Sequence, residues 1–454
     1  MRRGPLALTG LAALALAGAA TAFGEDAPGF DREAQIGPNP VLPEPQNYLL
    51  PPMNIARAVG WRPGEAPIVP EDMRIQAFAS GLAHPRMVYT LPNGDVLVVE
   101  SKAPGTEPTL RPKDIIQNYI KSFASTSQGA TPAQSGGAPG NRITLLRDAN
   151  GDGTPEVRSI FLDHLNSPFG VVLVGTDLYV ANTDALVRYA YTPGETRMTA
   201  PGRVLTELPG GPINHHWTKS LAASPDGARL YVGIGSNSNI TEHGIEAERG
   251  RAAVWEIDRA TGAHRPFAEG VRNPTGLAFE PQSSRLWAIA NERDEIGPHL
   301  VPDYLTSLQD GGFYGWPYSY YGQHLDPRVR PQRPDLVARA IPPDYALGSH
   351  VAPLGLVFSG SGGGSLPARY AGGAIIGEHG SWNRPDLSGY KVVFVPFENG
   401  RPSGRAQDVV TGFLNDRGES RGRPVGVTLD RSGGLLIADD VGDTVWRVTA
   451  RTGG

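Results

Sequence analysis

The stretch NHHWTKS (214–220) sets His215 and His216 side by side just ahead of a run with strand character, SLAASPDGARLYVGIG. Imidazole titrates near neutral pH, and this chain has only 10 histidines, so an adjacent pair at a strand entrance asks for an explanation. Other strand entrances carry Arg272 and Asn273, His350, and Arg421 and Arg423. Two strand exits add oxygen donors: Asn291, Glu292 and Asp294 in ANERDE, and Asp439 and Asp440 in ADDVGD. Strand packing does not call for such residues. Guanidinium groups bind carboxylates through paired hydrogen bonds and stack on conjugated rings, so arginines gathered with histidines suit a flat, polyanionic cofactor. The competing reading pairs each arginine with a carboxylate of a neighbouring element and satisfies each histidine in a turn. Recurrence at equivalent positions favours the cofactor site. A separate loop, DANGDGTPE, offers Asp148, Asn150, Asp152 and Glu156 at the oxygen-rich spacing that hard cations take. It lacks the twelfth-position glutamate of an EF-hand and serves equally as a hairpin turn without metal.

The elements that must position these residues recur along the chain. A polar residue with Pro or Trp, an apolar run, a turn and a second apolar run appear at 84–101, 167–182, 216–235, 273–291, 352–380 and 423–440. Each copy carries the signature of a β-hairpin, with turns such as PNG, PDG and RSGG. Further strand candidates between the copies bring each unit to about four strands, the make-up of a propeller blade. The 58 glycines and 42 prolines agree with many short strands and tight turns. The expected class is all-β: one six-bladed β-propeller with four-stranded antiparallel blades over residues 72–451. DMRIQAFA (72–79) has no earlier partner and DTVWRVTA (443–450) ends the pattern, so pairing the two would close the ring and remove two sheet edges. Two insertions interrupt the pattern, 102–140, with a short helix expected at 113–124, and roughly 296–350; loops this long are usually lids, binding walls or disordered segments. Inner strands of a propeller begin near its axis, so the residues ahead of each copy converge on one face.

Residues 1–22 have two arginines, a short apolar core and a small-residue end, Ala20-Thr21-Ala22, and are expected to be a cleaved secretory signal. Residues 23–71, rich in proline, are expected to form an extended arm. No later run is long and apolar enough to span a bilayer, so no integral membrane segment is expected after cleavage. The chain has no cysteine, which suits an oxidising compartment; a periplasmic or secreted location follows. Formal net charge is −5 with both signs interspersed, which argues against nucleic acid as a partner.

The motifs HHWTKSLAASPDGARLYVGIG, VRNPTGLAFEP, ANERDE, DGGFYGWPY, RGRPVG and LLIADDVGD, in that order from about residue 70 to 450, resemble the pyrroloquinoline-quinone (PQQ) sugar dehydrogenases of the soluble glucose dehydrogenase and sorbosone dehydrogenase group. The resemblance implies a quinoprotein that oxidises an aldose or related hydroxyl or aldehyde compound, with PQQ and calcium as cofactors and an external electron acceptor, a soluble carrier or the quinone pool. It implies His216 as the general base, with His215 as the alternative, and Arg272 and Asn273 at the reacting carbonyl. It further implies Arg421 and Arg423 on PQQ carboxylates, Asp440 at the ring system, and calcium held by the Asn291–Asp294 loop, largely through backbone oxygens. Three departures stand out. Ser236 occupies the place of the aspartate that orients the base, leaving that task to Ser236 or Asn237. The cofactor-binding lysine has no match, and Arg384, with His379 and Asn383 nearby, is the substitute. His350 replaces the tryptophan near the sugar. The alternatives are a calcium-dependent propeller lactonase or esterase, which the arginines disfavour, and a non-catalytic binding propeller.

Overall fold

The computed structural model describes residues 31–46, 52–104, 112, 115–116, 140–360 and 364–451. The expected signal segment, and all but two residues of the helix expected at 113–124, fall outside these. Blade 1 pairs Pro85–Thr90, Val96–Glu100, Arg142–Arg147 and Val157–Leu162. Blade 2 pairs Gly170–Val174, Asp177–Ala181, Ala185–Ala190 and Arg203–Glu207. Blade 3 holds Lys219–Ala223, Arg229–Ile234, Ala253–Asp258 and His264–Glu269, with Gly312–Phe313 added in parallel at its edge. Blade 4 is Pro274–Phe279, Leu286–Ala290, Pro302–Ser307 and Tyr345–Ser349. Blade 5 is Pro353–Ser359, Gly373–Glu378, Lys391–Glu398 and Gln407–Val410. Blade 6 combines Pro424–Leu429, Leu435–Asp439 and Thr444–Ala450 with the N-terminal strand Met73–Ala79. The sheets form a six-bladed β-propeller.

The ring closes as the sequence predicts. Met73 pairs with Ala450 and Arg74 with Thr449, so the first strand becomes the outermost strand of the last blade. Opening the ring would therefore cost a full ladder of hydrogen bonds. Apolar residues of adjacent blades interdigitate, and among the described residues the six hydrophobic clusters fall one to each blade interface. Trp287, Tyr345, Phe358 and Val395, for example, join blades 4 and 5. Near the axis the inner strands meet backbone to backbone. A Cβ on Gly426 would stand 2.7 Å from the Met87 Cα of blade 1, so the recurring glycine of the repeat is a spacing requirement of the ring.

One boundary differs from the sequence reading. The second insertion is not a single loop over 296–350, because Pro302–Ser307 and Tyr345–Ser349 are the outer strands of blade 4. What remains, about 308–344, carries the hairpin Ser319–Tyr320/His324–Leu325 and a one-turn helix, Pro334–Val337. Apolar alternation alone could not separate these strands from the loop between them. Residues 52–69 run along blades 5 and 6, where Ile68 bridges Thr411 and the Trp61 Nε1 donates to Asp439 Oδ2 at 2.7 Å. Among the described residues no helix is long and apolar enough to cross a membrane.

Candidate active site

In each blade the first strand leaves, and the second returns to, the same face, so entrance and exit residues become neighbours. The backbone shows this rung in four blades: His216 N donates to Ser236 O at 3.3 Å, Asn291 N to Asn273 O at 3.0 Å, His379 N to Ala352 O at 2.9 Å and Asp440 N to Arg423 O at 3.3 Å. His216, Asn273, Asn291 and Ala352 of the first three rungs line a chamber of about 200 Å³. Its wall is built from His215, His216, Arg272, Asn273, Asn291, Glu292, Asp294 and His350, together with Asp303, Trp382 and Asn383. Eight of the predicted site residues thus share one cavity, and its wall is polar rather than filled by aliphatic side chains.

His216 is held in a single tautomer. Its Nδ1 lies 2.9 Å from Ser236 O, which can only accept, so Nδ1 carries the proton and Nε2 is left as a bare acceptor. Ser236 Oγ stands 3.0 Å from the same nitrogen and donates its own proton to Ser238 O at 2.6 Å. Ser236 therefore occupies the orienting position; Asn237 is turned away, its backbone N–H toward Glu248 and its amide toward Ala247 O. Arg251 fixes the loop from below, with Nη2 donating to Asn214 Oδ1 at 2.8 Å and to His216 O at 3.2 Å. Burial, and then the neighbouring Arg272 charge, hold the His216 imidazole well below its ordinary 6.5, although part of the ring still meets the chamber. The His215 ring packs edge-on against it at 4.6 Å.

Beside it, Arg272, whose carbonyl accepts from Ser236 N at 2.8 Å, is buried and its donors are taken by the wall. Nη1 donates to Glu292 O at 2.7 Å and to Asn291 O at 3.3 Å, and Nη2 to Asn239 Oδ1 at 3.0 Å. It is a fixed positive charge. The Asp294 carboxylate gathers Asn383 Nδ2 at 2.7 Å, His350 Nδ1 at 3.4 Å and Arg272 Nη2 at 3.5 Å. Asp303 accepts from Glu292 N and Ala352 N, each at 2.8 Å, and burial pushes its carboxyl up to about 7. Three buried oxygens of the wall, Asn273 Oδ1, Glu292 Oε1 and Asn383 Oδ1, have no hydrogen-bond partner. Buried polar atoms are nearly always paired, so these acceptors are arranged for a donor or a cation.

Blades 5, 6 and 1 contribute a second group. Asp440 is buried and accepts from His379 Nε2 at 3.0 Å and from Arg86, with His84 Nε2 at 3.7 Å. Despite burial, which opposes it, His379, His84 and Arg86 hold the Asp440 carboxyl well below the usual range. Burial lowers His379 to about 4 against the pull of Asp440. Arg423 lies over the Tyr390 ring at 4.9 Å and donates to its hydroxyl at 2.8 Å. Arg86 stands 5.9 Å from the Trp217 ring, which links blade 1 to the entrance of blade 3. Arg86 and His84 were missed in the sequence, yet HPRMVY places them at the first copy's entrance, where the rule that found Arg423 applies equally.

Two predictions are displaced. Arg421 is drawn to the arm, 3.6 Å from Glu65 Oε2, in a groove with Arg57 and Glu419; with only Gly422 between them, the turn sends Arg421 and Arg423 to different sides. Arg384 is buried behind the chamber wall, donating to Ser349 O at 2.9 Å and Ser388 Oγ at 3.2 Å, and lines a different groove. The acidic loop stands apart from the chamber, as the sequence places it, and is the hairpin turn between the outer strands of blade 1. Asp148, Asp152 and Glu156 do stand close enough to share an ion. Their oxygens also accept from the turn's own N–H groups, as Asp148 Oδ1 does from Gly151 at 2.8 Å, and Asn150 is spent on Asp152 N at 2.8 Å.

Residues 142–301 and 335–451 match the TrAA12-like family. Over 367 residues the chain is 24% identical to a pyrroloquinoline quinone-dependent pyranose dehydrogenase of Coprinopsis cinerea, a match covering 67% of this chain and 49% of that protein. The chain thus spans about half the length of that relative. Among solved structures, the holo form of the Coprinopsis cinerea pyranose dehydrogenase PQQ domain superposes with a TM-score of 0.66 at 20% identity, covering 86% of this chain and 98% of that one. A calcium structure of a Trichoderma reesei AA12 enzyme superposes with a TM-score of 0.66 at 18% identity, covering 85% and 97%. At these identities the superpositions speak for the fold.

Proposed function

This chain belongs to the TrAA12-like family of PQQ-dependent oxidoreductases, and from that premise we propose that it is a periplasmic or secreted quinoprotein dehydrogenase oxidising an aldose or related hydroxyl or aldehyde compound. The observation that carries this reading is a half-buried imidazole with an unprotonated Nε2, in the wall of a chamber that also holds a fixed arginine and unpartnered oxygens.

The residues fit both cofactors. Asn273 Oδ1, Glu292 Oε1 and Asn383 Oδ1 are acceptor oxygens without partners, the donor type hard cations take, and they would hold calcium together with the Asn291–Asp294 loop. Arg423 and Arg86 would hold the PQQ carboxylates, with the fixed charge of Arg272 beside the quinone edge; the Arg86 Nε is buried with no partner, which suits an anion not made by the protein itself. When bound, PQQ supplies the two-electron acceptor for hydride from the substrate carbon, and calcium supplies Lewis acidity toward the quinone oxygen.

The chain's own residues account for the proton. His216 Nε2 takes the substrate hydroxyl proton, and the fixed Nδ1–H bond to Ser236 O keeps the ring aimed. Burial and Arg272 disfavour the imidazolium, so His216 is neutral before each turnover and sheds its proton readily afterwards. Arg272 offers positive charge where oxyanion character develops. His350 and Trp382 line the chamber and would set which hydroxyl compound fits. Electrons then pass to an external acceptor, a soluble carrier or the quinone pool.

The metal-free chain, incubated with PQQ and Ca²⁺ and then given aldoses and an artificial dye, should bleach the dye only when both additions are present. Lactone cleavage with metal alone, or no turnover with any addition, would overturn the proposal.

A further inference from the structure

The loop that follows the second strand of blade 4 contains a residue that faces away from the chamber. Arg293 is fully buried, and its bonds go into the segment 317–328 of the second insertion. Nη1 donates to Pro317 O at 2.8 Å and to Asp326 Oδ2 at 3.0 Å, and Nη2 donates to Ser319 O at 2.5 Å. Its Nε and backbone N–H both donate to Glu292 Oε2 at 2.9 Å. Asp326, also fully buried, accepts from Arg328 Nε at 2.9 Å and Nη2 at 2.8 Å. Arg328 in turn reaches back to the site loop, with Nη1 donating to Asp294 O at 3.1 Å and Glu295 O at 3.4 Å.

The result is a closed circuit of two cations and two carboxylates, Glu292–Arg293–Asp326–Arg328, that begins and ends on the loop at the chamber. Buried ion pairs are poor sources of stability, because desolvation offsets the attraction and apolar replacements often do as well. What such a circuit does supply is direction. It divides the two oxygens of Glu292: Oε2 is spent on Arg293, while Oε1, in a residue lining the chamber, is left without a partner. It also fixes the carbonyls of residues 294 and 295 from the second insertion, while Asn239 of blade 3 holds the Asp294 N–H at 2.8 Å.

We propose that Arg293, Asp326 and Arg328 are positioning residues for cation binding: the second insertion is a clamp that sets which Glu292 oxygen and which loop geometry are offered to calcium. This rests on the calcium reading given above. Outer partners of metal ligands commonly govern affinity by about 10- to 100-fold, and a rigid oxygen set distinguishes Ca²⁺ from the smaller Mg²⁺.

Calorimetric titration of Ca²⁺ and of Mg²⁺ into the metal-free full chain tests this without turnover. Glu292→Gln is the reference variant that weakens the offered oxygen. Arg293→Lys keeps the charge and loses the fork; should it fail to fold, Arg328→Met, whose side chain is 19% exposed, carries the test. The wild-type chain is expected to bind Ca²⁺, Glu292→Gln to bind it poorly, and Arg328→Met to lose about 10- to 100-fold in Ca²⁺ affinity with reduced preference over Mg²⁺. A merely structural brace would lower the melting temperature and leave affinity and preference at wild-type values. If Arg328→Met matches wild type while Glu292→Gln does not, the positioning role is wrong and the calcium reading stands. If Glu292→Gln also matches wild type, the calcium reading fails and the inference falls with it.

Discussion

Glu378 ends the second strand of blade 5 and is buried, with Oε2 unpartnered, at the floor of a groove of about 590 Å³ that backs onto the chamber wall. Burial pushes its carboxyl up to about 8; the nearby Lys391 opposes this, while Asp408 and Asp303 add to it. The ordinary value is 4.5, so over the interval from about 4.5 to 8 the native chain holds a proton that the unfolded chain has released. The contribution of Glu378 to stability is therefore fully present below 4.5 and is lost as pH rises through 8. At about 1.36 kcal/mol per pH unit, the loss between pH 5 and pH 8 is roughly 3.5 kcal/mol. Glu378→Gln removes the ionisable proton and keeps the shape. Its stability relative to wild type should shift in the variant's favour by that amount, whatever the constant offset from exchanging an acid for an amide. With an unfolding entropy of about 2.1 cal/mol/K per residue over 454 residues, the shift corresponds to about 4 °C in Tm. Thermal unfolding of both proteins at pH 5 and pH 8, at constant ionic strength, reads it directly. A Tm difference that stays constant between the two pH values would refute the reasoning and mean that a cation or solvent satisfies the carboxylate.

Other outcomes follow from the chamber. His216→Asn should lower kcat by roughly 10²- to 10⁴-fold, the range for a lost general base, while PQQ affinity measured by equilibrium dialysis stays near wild type. Because burial and Arg272 hold His216 well below 6.5, it is neutral above that depressed value, and kcat/KM should not fall along an acid limb centred near 6.5; such a limb would contradict the assignment. Arg423→Ala should weaken PQQ retention by roughly 10- to 100-fold, the worth of one charge-assisted hydrogen bond, with little change in calcium binding. Asp152→Asn, in the hairpin turn of blade 1, should leave turnover unaltered, and its loss in a steady-state assay would place that loop in the mechanism.

The blades were legible because each repeat writes its period directly: Pro85, Pro274, Pro353 and Pro424 open inner strands, and turns such as PNG and PDG close the hairpins. Ring closure was legible because Met73–Ala79 had no other partner to take. The chamber followed from the same phase, since entrance and exit residues of one blade must share a rung, as Asn273 and Asn291 do. The phase says nothing about which way a side chain turns. Arg421 and Arg423 are separated by one glycine, and only the competition between Glu65 of the arm and Tyr390 of blade 5 sends them apart. Arg384 was misplaced because the packing of the segment around Ser349 and Ser388, not the sequence next to it, decides where a buried guanidinium finds acceptors. Arg293 was invisible for a similar reason: its partner Asp326 lies 33 residues away in a segment with no period to read.

The most direct measurement is the absorption spectrum of the chain reconstituted with PQQ and Ca²⁺, recorded anaerobically before and after a panel of aldoses is added. The account predicts conversion from the oxidised quinone to the reduced quinol spectrum with at least one sugar in the wild-type chain, and none in His216→Asn over the same interval. A wild-type spectrum that takes up no quinone, or a bound quinone reduced equally fast in His216→Asn, would contradict it.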